Sequence, residues 1–219
     1  MIITLYESIF PFCCTNASII KEYGMALINE SRNIEAIHVL SKVHDKELSS
    51  KYFTSRIDSK NSDRFAEITS TSSSLRTRFK LVTAMSNAGK CDSARPLIDE
   101  GLGWIDSIET SLDEFDRNDE AYKNFASLSS MKHANLDNKA YFLIAKSRCS
   151  KDVASMASTA YEAAVTRPQM EYALNYAQSV IKIVEQVQTS GLDPQKVLTS
   201  WQLENESDQI AKLSFSLKQ

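Results

Sequence analysis

Residues 16–43 read NASIIKEYGMALINESRNIEAIHVLSKV, and their spacing decides the fold class. From Asn16 to Asn29 the apolar positions Ile19, Ile20, Tyr23, Leu27 and Ile28 recur three, four, seven or eight residues apart, the stripe of an amphipathic helix. Asn29-Glu30-Ser31-Arg32-Asn33 interrupts it with polar residues. From Ile34 to Val43 the spacing resumes through Ile37, Leu40 and Val43. Two apolar stripes joined by a few polar residues are both buried only if the helices fold back on each other.

The same alternation extends outward. Leu75 to Ala88 places Leu75, Phe79, Val82 and Met85 on one face, Gly89-Lys90-Cys91-Asp92 turns the chain, and Ser93 to Ile108 carries Ala94, Leu97, Ile98, Leu102, Ile105 and Ile108. Gly101 and Gly103 weaken that helix locally and, if interior, permit close approach of a neighbour. Between the two pairs, residues 45–74 predict one or two short helices. Thr69 to Ser74 is expected to be a loop, with Ser74 as the N-cap of the next helix.

Asp113 to Asp119 reads as an acidic connection. Further helices are expected over Glu120 to His133, Asn138 to Arg148 and Lys151 to Val165. The next opens at Pro168 and runs to about Thr189, with Tyr172, Tyr176, Val180, Ile183 and Val187 on one stripe and Gly191 ending it. Asp193-Pro194 is a helix start signal, giving two short helices over about 194–204 and 208–217. No linker divides the chain. The expected organisation is one all-helical domain over 1–219, with 1–14 as a docking segment and 192–219 as capping helices.

Composition agrees. The 219 residues include only 5 Gly and 4 Pro, too few for a turn-rich sheet protein. The balance of 25 basic against 28 acidic residues, a net of −3, argues against a duplex nucleic-acid binder. Cys13, Cys14, Cys91 and Cys149 form no Cys-x-x-Cys pair and read as small buried hydrophobes in a reducing compartment. The apolar start, Met1 to Phe10, has no basic leader, Glu7 interrupts it, and no stretch approaches the roughly 18 apolar residues of a membrane span. The expected location is cytoplasmic.

The helix pairs resemble the tetratricopeptide repeat, in which small residues let two antiparallel helices cross closely. Gly24 and Ala36, twelve apart and flanked by Ile20, Tyr23, Leu27, Leu40 and Val43, carry the match in the first pair. In the second it rests on the turn glycine Gly89 with Ala94 and Gly101, although Val82 stands where a small residue is usual. A third, fainter pair aligns Tyr141, Phe142 and Ala145 with Ala154 and Tyr161. Ala36 to Ala94 spans 58 residues and Ala94 to Ala154 spans 60, against a family period of 34. The resemblance implies stacked antiparallel helix pairs, a short α-solenoid; the alternative is an irregular helical bundle.

No catalytic constellation stands out. His38, His44 and His133 are too few and badly spaced for a metal site, and His133 with Asp137 reads as a surface pair. Gly101-Leu102-Gly103 lacks the preceding strand of a phosphate loop, and the acidic run at 113–120 lacks the order of a calcium loop. Trp104 and Trp201 lie on apolar stripes and read as core. No cofactor or metal is expected, and the chain reads as a non-enzyme.

The resemblance further implies that the first helix of each pair lines a groove. Its register marks Lys21, Met25 and Asn29 in the first pair, Arg76, Phe79, Lys80, Thr83 and Asn87 in the second, and Lys139, Leu143 and Lys146 in the third. A basic-leaning groove on an acidic chain favours an acidic peptide or protein surface. The expected function is a protein–protein interaction module, such as an adaptor, chaperone or scaffold. The alternative is a regulatory or sensor domain taking a small ligand or peptide; homo-oligomerisation stays open.

Overall fold

The computed structural model describes residues 17–48, 61–118 and 126–191. They form seven helices, with no strand among the described residues: α1 (Ala17–Asn29), α2 (Asn33–Leu48), α3 (Asn61–Asn87), α4 (Cys91–Asn118), α5 (Ala126–Arg148), α6 (Val153–Thr166) and α7 (Glu171–Ser190). The chain is all-α. The expected docking segment 1–14, the capping helices 192–219, Cys13, Cys14 and Trp201 lie outside the described residues.

Each helix packs on the next wherever a short turn joins them, and α2 also packs on α3 and α4 on α5. The odd-numbered helices meet in order as well: α1 on α3, α3 on α5, α5 on α7. The even-numbered helices have no comparable contact with one another. The result is a row of odd helices backed by a row of even ones.

Small residues set these approaches. A Cβ added at Gly24 would lie 2.5 Å from Leu40 Cδ2, so α1 and α2 cross at the glycine. At Gly101 it would lie 2.5 Å from Phe142 Cζ, which seats α4 on α5. Gly103 has nothing within 4 Å and serves no such approach.

Turn chemistry follows the sequence signals. Gly89 (φ 70°) and Gly191 (φ 63°) end α3 and α7 in the left-handed region, where glycine carries no Cβ penalty. Asp152 caps α6, accepting from the Ser155 backbone N–H at 2.8 Å.

Several expected boundaries differ. Thr69–Ser74 is helical, and Ser74 is buried inside α3 rather than capping it. Propensity is a weak prior beside packing, and Leu75, Val82, Leu81 and Ala84 of the same helix enter two different cores. The acidic stretch from Asp113 closes α4 as helix. The separate helices expected before and after residue 135 join as α5. Pro168 lies in the turn before α7 rather than inside it.

Three cores run along the rows. Ile20, Tyr23, Leu27, Ala36, Leu40 and Leu81 form one. Val82, Ile98, Ile105 and Phe142 anchor the middle one. Leu143, Ile144, Met156, Ala163 and Val180 anchor the third. Helices α3 and α5 each contribute to two cores, so they bury opposite sides and lack one clean apolar stripe. Ala154 and Tyr161, aligned by the resemblance with interior positions, face solvent; Tyr161 is 69% exposed.

The cysteine reading also changes: Cys91 and Cys149 form a disulfide. It ties the start of α4 to the turn after α5. No described helix is long and apolar enough to cross a membrane.

Candidate partner-binding face

The odd helices share a face crossed by two rows of linked side chains, the second of which also takes in Asn33 at the start of α2. In the first row Phe79 of α3 stacks on Tyr141 of α5, centroids 4.5 Å apart and planes within 6°. Tyr141 in turn meets Tyr172 of α7 at 5.9 Å. Lys80, the next residue of α3, donates instead to Glu22 of α1 at 3.1 Å. Phe79 and Tyr141 are half-buried and Tyr172 is exposed.

The second row lies at the ends of α3 and α5. Asn87 donates to Asn33 Oδ1 at 3.4 Å. Arg148 donates through Nη1 to Asn87 Oδ1 and through Nη2 to the Tyr172 hydroxyl at 2.8 Å. Its guanidinium lies 5.1 Å from the Tyr176 ring centroid and 5.9 Å from that of Tyr172, within cation–π range. Beneath it the buried Tyr176 hydroxyl donates to Ser147 Oγ at 3.1 Å, and Ser147 donates to the Met156 carbonyl at 2.7 Å.

Burial, then the neighbouring Tyr172 and Asp137, push the Tyr141 phenol above its ordinary pKa. Burial also raises that of Tyr176, against the opposing pull of Arg148 and Ser147. Both rings are neutral at physiological pH. The face offers flat aromatic surface flanked by cations, a combination that holds rings, prolines and carboxylates. Among the described residues no three His, Cys, Asp or Glu side chains come close enough to hold a metal.

The residues marked from the sequence are distributed unevenly. Phe79 and Asn87 fall in the two rows, Lys80 pairs with Glu22 of α1, and Arg76 is exposed on α3. Thr83, Lys21 and Met25 are half-buried and Asn29 is exposed. The third pair differs. Leu143 is 3% exposed and packed in a core, with no surface to offer a partner. Lys139 binds Asp106 at 3.1 Å and Glu109 at 3.3 Å, and Lys146 lies 3.7 Å from Asp99, so both turn towards α4. Burial alone would lower the Lys139 pKa, but these carboxylates outweigh it and leave it raised. His133 is exposed, and Asp137 binds Arg167 at 2.5 Å.

Tyr141, Arg148 and Tyr172 of this face lie outside the positions that the repeat register marks. The repeat register steps 63 positions, from Arg76 to Lys139 and from Lys80 to Leu143. The contacts between α3 and α5 instead span 62 positions for Phe79 and Tyr141, and 61 for Asn87 and Arg148. A slip of one residue turns a helical position by about 100°, enough to exchange an open face for a core or a flank. The recurrence of aromatic residues at 79, 141 and 172 was the available signal.

Comparisons of this chain with protein families, with curated proteins and with solved structures return no match.

Proposed function

We propose that this protein is a non-enzymatic interaction module, a short tetratricopeptide-like α-solenoid that binds an extended acidic peptide or protein segment across its odd helices. The observation that carries this reading is the Phe79–Tyr141–Tyr172 row with Arg148 beside it, aromatic surface and cation on successive first helices of the pairs. The order of packing supports it: the odd helices meet one another in sequence, as the lining helices of a solenoid do. Rigid aromatic and arginine side chains are the usual anchors of protein interfaces. A cytoplasmic location rested partly on isolated cysteines, and the Cys91–Cys149 bond removes that support.

The test is selection of a displayed random peptide library on the full chain, with counter-selection on a Tyr141→Ala/Tyr172→Ala variant. The reading expects enriched peptides rich in Asp and Glu. Their affinity should fall about tenfold or more in that variant and weaken with added salt. Arg76→Glu, a reversal at an exposed position, should weaken them further. Peptides that bind wild type and variant equally, or no enrichment, would rule this face out.

A further inference from the structure

The disulfide joins two turns that bear on the second row of the odd face. Cys91 is the first residue of α4, two positions beyond the turn glycine Gly89 and four beyond Asn87. Cys149 follows Arg148 directly. The Cys149 carbonyl accepts from Arg95 Nε at 3.4 Å and Nη2 at 3.3 Å, while Arg95 Nη1 engages Asp92 in the same turn of α4. The residue beside Arg148 is therefore held to α4 by one covalent bond and by long hydrogen bonds from a half-exposed arginine. Arg148 itself joins α5 to Asn87 of α3 and to Tyr172 of α7.

We propose that the Cys91–Cys149 bond is a redox-operated tie that holds the ends of α3 and α5 in register and so fixes Arg148 on the odd face, and that a dithiol reductant opens it. Cys91 is half-buried, whereas Cys149 is 3% exposed, so the attacked sulfur is that of Cys91. The reductant's thiolate forms a mixed disulfide with Cys91 Sγ; Cys149 Sγ leaves with the bonding electron pair and takes up a proton. The reductant's second thiol then displaces Cys91, which is protonated in turn. The protein gains two electrons and two protons, and the dithiol becomes a cyclic disulfide. With the tie open, the Arg95 hydrogen bonds are left to hold the Cys149 carbonyl to α4, and the α3–α4 and α5–α6 turns open locally.

Hydrogen–deuterium exchange of the full chain with and without dithiothreitol tests this, after peptide mapping of protein purified without reductant. The map should show the Cys91–Cys149 link. Dithiothreitol should then raise exchange over residues 88–92 and 146–150 about tenfold more than over residues 156–164 of α6, as expected of a local opening added to the loss of global stability. A Cys91→Ser/Cys149→Ser variant keeps Cys13 and Cys14. It should show the raised exchange throughout and no response to dithiothreitol. An unlinked pair in the map, no response in the wild type, or a uniform rise over all helices would each overturn the proposal, the last by making the bond a global staple only. The wild-type arms decide the matter even if the double variant does not fold, and none of the readouts needs the partner.

Discussion

Three glycines sit in described helices with three different surroundings, and they give the sharpest residue-scale tests. Gly24→Ala drives a methyl to within 2.5 Å of Leu40 Cδ2, and Gly101→Ala drives one against the Phe142 ring. Each should cost about 1–3 kcal/mol in urea unfolding, the range for overpacking. Gly103→Ala meets nothing within 4 Å and should stabilise α4 by about 1 kcal/mol through helix propensity; a loss there would mean an unseen contact. Arg78 supplies a second test. It is fully buried, with its guanidinium 3.8 Å from the Trp104 ring centroid and Nη1 2.8 Å from a half-exposed Glu100, off the N–H direction. Burial lowers its pKa against the pull of Glu100. Glu100→Ala leaves a buried cation uncompensated and should destabilise, whereas Arg78→Met should be close to neutral. Opposite ranking in thermal melts would show that the ion pair is net stabilising. Gly24 and Gly101 were legible as close approaches because a bare Cα among apolar neighbours has few other uses. Buried Arg78 was not, because nothing local distinguishes an inward arginine from a solvated one.

At the scale of elements, the α4–α5 pair carries an antiparallel charge zipper. Lys132, Lys139 and Lys146 step by seven along α5, and Asp113, Asp106 and Asp99 step by seven back along α4, at 3.2, 3.1 and 3.7 Å. Lys139→Glu should cost about 0.5–1 kcal/mol at low salt, discounted because the facing carboxylates are about half exposed. An added Asp106→Lys exchange should recover part of it. No salt dependence and no recovery would show the zipper to be incidental. The Lys139 and Lys146 charges had read as part of a groove because one helix's sequence does not say which neighbour its lysines meet; α4 supplied that. The long α3 and α5 were hard to delimit for a related reason. Each buries two sides, and helix periodicity announces only a helix with one buried stripe. The paired helices α1 and α2, with one stripe each, were found to within a few residues.

Across the whole molecule, the disulfide closes a loop 58 residues long and should add about 4 kcal/mol by restricting the unfolded chain. Denaturant titration of the wild type, oxidised and then reduced, measures this, and equal midpoints would deny it. High pH gives a second test. The folded-state pKa values of Tyr141 and Tyr176 lie above the ordinary value. Their contribution to stability is therefore intact below pH about 10 and is lost as pH rises through the raised values. Phenolate absorbance should climb together with unfolding, and full ionisation of both rings in a still-folded chain would contradict their burial. The disulfide also has a mechanical side. Pulled from its two ends, a chain whose helices touch only near neighbours peels from its termini, each pair letting go in turn. The segment between Cys91 and Cys149 cannot pay out. At about 3.5 Å per extended residue, the bond withholds roughly 200 Å of contour length, and that length becomes available under load only after a reductant has cut the loop.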